Sequence, residues 1–261
     1  MYISRNIGVS MDILIAGFGF VGRAHEAVLK EKHHTHIYDP ALGYNDFWKK
    51  PDCAIICVST PPAEDGSCNI ENVIDTVSYL DEEVPILIKS TISLDGWRRL
   101  NFMFPNHKLA FSPEFLRAAT AIEDFKNSRV IYVGGKEELF WHTVFRLAFN
   151  DSTFTTQIQD PEVLILAKYF RNSFLASKVA FFNQVYDLCE SAEVDFTAVA
   201  DVVGADERIG YSHIRVSKER GYGGHCFPKD ISAIIETADK YNTDLSILEE
   251  VRRYNNDIRK E

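Results

Sequence analysis

"DILIAGFGFVGRAHEAVLK" (residues 12–30) decides the fold. A short apolar run ends in glycine by residue 19, and a helical pattern, "FVGRAHEAVLK", follows at once. The reading is strand, tight turn, helix, with Gly17, Gly19 and Gly22 in GxGxxG spacing across the turn. As a bare string that spacing is a weak signal. Between a strand and a helix it acquires a purpose, because the glycines let the backbone approach a pyrophosphate whose charge the helix N-terminus stabilises. Asp39 lies 22 residues beyond Gly17, at the end of the next apolar run, "HTHIYD" (34–39). A carboxylate there accepts from a ribose 2′-hydroxyl and repels a 2′-phosphate, so the expected cofactor is NAD and not NADP.

Further apolar runs recur at "CAIICVS" (53–59), "PILIKST" (85–91), "KLAFSP" (108–113) and "RVIYVGG" (129–135). Their continuous apolarity suits parallel strands covered on both faces, with helices between them. The expected fold class is α/β: a Rossmann-like, doubly wound parallel sheet over residues 1–150, then an all-helical dimerisation domain over 151–261. "DPEVLILAKYFRNSFLASKVAFFNQVYDLCE" (160–190) opens with Asp160 as N-cap and Pro161 at the first helical position, and carries no later Gly or Pro. Its apolar residues cover most of the circumference, which predicts a long buried helix at a subunit interface. Two more helical segments are expected near 191–203 and 228–258, separated by a glycine-rich loop.

The chain is long enough to bury about 70 to 75% of its unfolded surface, so neither a metal nor a disulfide is required for stability. Twenty-eight basic against 38 acidic residues give a net charge of −10, which argues against binding a nucleic-acid backbone. Cys53, Cys57, Cys68, Cys189 and Cys226 are odd in number and without metal-ligand spacing, so free thiols in a reducing compartment are expected. "MYISRNIGVS" reads as a loose tail with no leader-like apolar core, and no membrane-spanning run follows. A cytoplasmic location is the expectation.

"VSTPP" (58–62) and "KST" (89–91) end the third and fourth strands, at the sheet edge where ligands bind. The remaining question is "GYGGHCFPKD" (221–230), which sets Cys226 between glycines and Pro-Lys-Asp. Hydride transfer alone requires no nucleophile. A thiolate beside NAD adds to an aldehyde, and the adduct can lose a second hydride to become a thioester that water hydrolyses. Lys229, His225 and the loop amides are candidates for stabilising that thiolate. Lys168 and Asn172, four residues apart on one helix face, can converge a cation and an amide donor on one oxygen.

Together these stretches resemble the UDP-glucose/GDP-mannose dehydrogenase family, whose signature cysteine lies in GxGGxCxPKD. The resemblance extends through "GFGFVG", "VSTPP", "KST", "SPEFLRAATAIEDF" (112–125), "LAKYFRNSFLASKVAFFNQ" (166–184) and "DERIG" (206–210), in order and over nearly the whole chain. It implies Cys226 as nucleophile and Asp230 as a polar partner for water or the substrate hydroxyl. Lys168 and Asn172 become the oxyanion donors, Glu114 the carboxylate that activates water, and Thr91 the residue that holds that water. Phe20, Val21, Ser59, Thr60, Thr91 and Lys229 join Gly17, Gly19, Gly22 and Asp39 around NAD. Phe115, Leu116, Arg117, Arg208, Tyr222, Gly223 and Gly224 join Lys168 and Asn172 around a sugar nucleotide, with Lys218 and Arg220 as further phosphate contacts. UDP-glucose is the expected substrate, GDP-mannose and UDP-N-acetylhexosamines the alternatives, and a homodimer through the 160–190 helix the expected assembly.

Three departures from the family pattern stand out. Ala118 occupies a position where many members carry a second glutamate, and His225 one that is commonly small. The family continues into a second Rossmann-like domain, whereas this sequence stops at "EEVRRYNNDIRKE", so the resemblance implies a shortened form. Two other readings compete: a β-hydroxyacid dehydrogenase, which oxidises once and needs no cysteine, and a non-catalytic NAD-binding remnant. Cys226 argues against the first, and the full set of Cys226, Lys168, Asn172 and Asp230 against the second.

Overall fold

The computed structural model describes residues 10–63, 66–149, 153–224 and 226–259. The expected N-terminal tail, apart from Ser10, and His225 lie outside the described residues. The chain forms two compact units, Met1–Pro61 with Cys68–Lys168, and Pro62–Ser67 with Tyr169–Glu261.

The first unit carries a seven-stranded sheet in the order β2-β1-β3-β4-β5-β6-β7. Its strands are β1 (Asp12–Ala16), β2 (His34–Tyr38), β3 (Cys53–Ile56), β4 (Pro85–Ile88), β5 (Lys108–Phe111), β6 (Val130–Gly135) and β7 (Thr155–Ile158). Helices α1 (Phe20–Leu29), α2 (Glu71–Ser78), α3 (Leu94–Met103), α4 (Ala121–Lys126) and α5 (Glu138–Phe149) connect them. All six predicted strands are present. β1 lies between β2 and β3 and is parallel to both, so the winding reverses there and a crevice opens beyond the carboxyl ends of β1 and β3.

The sheet is mostly parallel, with one exception. β6 runs antiparallel to β5, because the chain re-enters the sheet from the end at which it left and needs no crossover. β7, which the sequence reading did not anticipate, pairs parallel with β6 after the crossover through α5. It carries the first unit past residue 150, so the units divide at Lys168 and not at 150.

β3 and β4 are buried along their whole length, as continuous Ile, Leu and Ala runs covered on both faces require. Trp141 and Phe145 of α5, Phe125 of α4, and Val28 and Leu29 of α1 close over one side in a single apolar cluster. Each fully buried Ile or Leu contributes roughly 1.5–3 kcal/mol, and that burial fixes the loop ends at the crevice.

The second unit is helical: most of α6 (Pro161–Ser191), then α7 (Phe196–Gly204), α8 (Phe227–Lys240) and α9 (Ser246–Ile258). The single helix expected over 228–258 is two. Asn242 takes a left-handed φ of 52°, and the N–H groups of Thr243 and Asn242 bond to the carbonyls of Ala238 and Asp239 at 2.9 and 3.0 Å, closing α8 without a glycine. Glu193, at φ 56°, ends α6 the same way.

Within one chain α6, expected as a long buried helix at a subunit interface, is buried over only part of its circumference. Phe182 and Cys189 pack with Phe196, Ala200 and Ile214, and Ala176 packs with Tyr222, Ile231 and Ile235. Phe174, Phe181 and Leu188, spaced by seven, remain 70%, 58% and 69% exposed, because α7, α8 and α9 cover the other faces. Among the described residues no helix is long and apolar enough to cross a membrane.

Candidate active site

At the end of β1, Gly17 has φ +89°, and a Cβ there would lie 2.5 Å from the carbonyl carbon of Cys57 on β3's exit. A Cβ on Gly22 would lie 2.1 Å from the Gly17 oxygen. These two glycines are therefore demanded by the fold. Gly19 differs, since a Cβ there would meet nothing within 4 Å. It faces open space in front of α1, a helix with no side-chain N-cap and no acidic residue in its first turn. The first N–H groups of α1, which include those of Phe20, Val21 and Gly22, are left for an anion.

Asp39 stands beside this turn. Its Oδ2 accepts from the Phe18 N–H at 2.7 Å and its Oδ1 from the Leu42 N–H at 3.3 Å, which pins the carboxylate while leaving lone pairs for hydroxyl donors. An uncapped helix end, an open glycine and a fixed acid fit a dinucleotide with a free 2′-hydroxyl. Ser59 and Thr60 follow β3 and Thr91 follows β4, at the same carboxyl edge. Ser59 is held by Asn72, whose Nδ2 donates to its backbone oxygen at 3.0 Å, and Thr60 is buried.

Beyond β5, the "SPEFLR" segment is gripped by two lysines. Lys89 Nζ donates to Ser112 Oγ at 3.0 Å and to the Pro113 carbonyl at 3.2 Å, and stands 3.2 Å from Glu114 Oε2, an ion pair not aligned as a hydrogen bond. Lys168 Nζ donates to the Glu114 backbone carbonyl at 3.0 Å. His25 approaches from α1, with Nδ1 2.9 Å from the Val21 carbonyl and Nε2 3.9 Å from Glu114 Oε2. Burial, then the neighbouring Lys89 charge, push the His25 pKa down to about 4, so the ring is neutral and Nδ1 is the donor to Val21. For Glu114, burial raises the pKa, but Lys89, His25, Lys168 and the Phe115 N–H outweigh it and leave a net lowering. Glu114 is thus an ionised carboxylate inside the first unit.

Phe115 is half-buried, and Leu116 packs against the apolar cluster of this unit. Arg117 is exposed and bound to Asp124 at 2.6 Å. Lys89 and His25 were missed by the sequence reading. A lysine inside the buried run "PILIKST" is the signal that marks the first, since unpaired lysines are rarely buried.

In the second unit, Asn172 Nδ2 donates to Asp230 Oδ2 at 2.6 Å. Asp230 is 1% exposed, its Oδ1 has no hydrogen-bond partner, and Lys229 Nζ lies 3.4 Å from that oxygen. Cys226 is the exposed N-cap residue of α8, and its carbonyl accepts from the Asp230 N–H at 2.9 Å. The sulfur-bearing residue and the buried carboxylate therefore share one helical turn, at the end of α8 where negative charge is favoured.

The loop before Cys226 departs from its expected roles in part. Arg220 does not face solvent as a phosphate contact: Nη2 donates to Asp187 Oδ1 at 2.6 Å and Nε to Asn183 Oδ1 at 2.8 Å. The Tyr222 ring lies in the core with Ala176, Ile231 and Ile235, and burial raises its pKa to about 12. Gly223 passes under Arg259, and Gly224 takes φ +76° with open space around it. Arg208 is exposed and bound to Asp206 at 2.5 Å, while Lys178 Nζ holds the Ile209 and Gly210 carbonyls at 2.6 and 3.1 Å.

Comparison with known proteins bears on both clusters. Residues 27–147 match the sequence profile of the NAD binding domain of the UDP-glucose/GDP-mannose dehydrogenase family, and residues 164–257 match that of its central domain. The chain is 31% identical over 248 residues to UDP-glucose 6-dehydrogenase YwqF of Bacillus subtilis (strain 168), covering 88% of this chain and 55% of that protein. It is 32% identical over 237 residues to a UDP-glucose 6-dehydrogenase of Rickettsia typhi, covering 85% and 51%. A solved structure of a UDP-glucose dehydrogenase from the hyperthermophilic archaeon Pyrobaculum islandicum is similar at a TM-score of 0.81 and 26% identity, over 98% of this chain and 70% of that one. The chain spans about half the length of the curated relatives it matches. With a Rossmann-like α/β unit that is the family's NAD-binding domain and a helical unit that is its central domain, the chain belongs to the UDP-glucose/GDP-mannose dehydrogenase family.

Proposed function

We propose that the chain oxidises the C6 alcohol of a sugar nucleotide to a carboxylate in two NAD-dependent steps, with UDP-glucose as substrate and UDP-glucuronate as product. The observation that carries this reading is the helical turn from Cys226 to Asp230, which joins an exposed thiol to a buried carboxylate with one oxygen that accepts no hydrogen bond. NAD, when bound, supplies the hydride acceptor, one molecule for each of the two steps.

In this reading Asp230 and Asn172 receive the substrate hydroxyl, and its proton passes to a water held by Asp230 as the first hydride departs from C6. The Cys226 thiolate then forms an S–C bond to the aldehyde carbon, and Lys168 and Asn172 stabilise the oxyanion that develops. Loss of a second hydride leaves a thioester. Water breaks the S–C bond, releasing the carboxylate and the thiol. Glu114 and Thr91 orient that water. A carboxylate held below its usual pKa is a weak base, so Glu114 contributes mainly by orientation and charge.

The five free cysteines support a reducing compartment, the cytoplasm. The exposed Phe174, Phe181 and Leu188 stripe supports a homodimer through α6. The test is NADH formed per sugar nucleotide consumed, with wild type and Cys226→Ser, on UDP-glucose, GDP-mannose and UDP-N-acetylglucosamine. Two NADH per UDP-glucose, lost in the variant, is the expected result. One NADH that survives the substitution would instead indicate a single oxidation without the cysteine.

A further inference from the structure

Among the described residues, the loop before Cys226 has no strand ladder to hold it. Arg220, Gly221 and Gly224 have φ values of 58°, 56° and 76°, conformations that L-residues with side chains seldom adopt. Backbone groups in such a loop need partners. They come from side chains of two helices distant in sequence. Asn255 of α9, itself buried, accepts the Tyr222 N–H at 2.7 Å on Oδ1 and donates from Nδ2 to the Tyr222 carbonyl at 3.1 Å. One amide side chain thereby pairs with both backbone groups of one residue, as a neighbouring strand would.

Arg259 Nη1 donates to the Arg220 carbonyl at 3.0 Å, and Asn183 Oδ1 of α6 accepts the Gly221 N–H at 3.1 Å. The fit is close. A Cβ on Gly221 would lie 2.4 Å from Asn255 Oδ1, and one on Gly223 would lie 2.3 Å from Arg259 Nη2. α9 is fastened in turn, because Tyr254 donates to Asp187 Oδ2 at 2.9 Å, the carboxylate whose other oxygen binds Arg220. Tyr222 then meets the ring of Phe227, the residue after Cys226, edge-on at 6.2 Å.

We propose that Asn255, assisted by Arg259, is a positioning residue for Cys226, holding the backbone at Tyr222 so that the sulfur keeps its place at the start of α8. The proposal rests on the reading of Cys226 as nucleophile. Glycine at 221 and 223 follows from it, since both residues pass directly beneath the clamping side chains.

The experiment compares wild type, Asn255→Ala and Arg259→Gln by three readouts: amide hydrogen exchange at Gly221 and Tyr222, the rate of Cys226 alkylation by iodoacetamide followed by peptide mass, and kcat and KM with UDP-glucose and NAD. In Asn255→Ala, exchange at Tyr222 should rise at least 30-fold, Cys226 alkylation should slow at least threefold, and kcat should fall at least tenfold while the KM for NAD moves less than threefold. Arg259→Gln, at the half-buried end of α9, should give smaller changes of the same sign, and it decides the question if Asn255→Ala does not fold. Faster exchange with unchanged alkylation and kcat would reduce Asn255 to a packing residue and overturn the proposal, as would unchanged exchange. Exchange and alkylation need no turnover, so they test the clamp even if Cys226→Ser retains activity, the result that would remove the nucleophile reading alone.

Discussion

Lys89 Nζ and Glu114 Oε2 stand 3.2 Å apart with side chains only 1% and 9% exposed, a buried ion pair that ties the end of β4 to the segment after β5. Removing one partner strands the other charge. Lys89→Met should cost the first unit about 3–5 kcal/mol. Adding Glu114→Gln to it should restore at least half. Urea denaturation of the single and double variants checks this, and a single variant as stable as wild type would show the pair to be inert.

His25 makes stability depend on acidity. Its native pKa, about 4, lies below the ordinary 6.5, so the unfolded chain binds a proton that the native ring refuses. Stability is full above pH 6.5 and declines as the pH falls towards 4, by about 3 kcal/mol from this residue. Glu114 acts in the same direction, because its lowered pKa contributes stability above the usual carboxylate range that is lost on further acidification. His25→Phe, which keeps a ring against Phe125 and Phe145, should flatten the decline between pH 6.5 and 4. Melting temperatures across that range measure it.

The glycines of the cofactor turn should separate folding from binding. Gly17→Ala meets backbone at 2.5 Å with φ +89°, and should destabilise by more than about 1 kcal/mol. Gly19→Ala meets nothing within 4 Å, so it should melt within a few degrees of wild type yet raise the Kd for NAD at least tenfold by obstructing the pyrophosphate. NAD titration beside thermal melting gives both numbers. Undiminished affinity in Gly19→Ala would put the pyrophosphate elsewhere.

The exposed stripe on α6 should set the oligomeric state. Phe174→Glu with Phe181→Glu should convert a dimer to a monomer in sedimentation velocity without altering the helix signal in circular dichroism. A monomeric wild type would assign the stripe to another partner.

What was legible in the sequence follows from local physics. Buried parallel strands need apolar residues on both faces, so β1, β3, β4 and β5 announced themselves as continuous runs. β7, "TTQI", lies at the sheet edge with most residues exposed, and its polarity hid it. The α8 to α9 break escaped notice because Asn242, not Gly or Pro, takes the left-handed turn. Lys168 and Asn172 were visible because they lie four apart on one helix. Asn183, Asp187, Asn255 and Arg259 were not, since each acts on a segment 33 to 39 residues away and reads, in its own helix, as part of an ordinary polar face.

The clamp on the loop before Cys226 also has a consequence for how the chain reaches its native state. Its bonds join residues 33 to 67 positions apart, and closing such loops costs chain entropy before any contact repays it. The helices of the second unit can form from local contacts first. In a refolding experiment, helical ellipticity should therefore recover ahead of the native rate of Cys226 alkylation, leaving an interval in which the chain is helical but Cys226 still reacts at the unclamped rate.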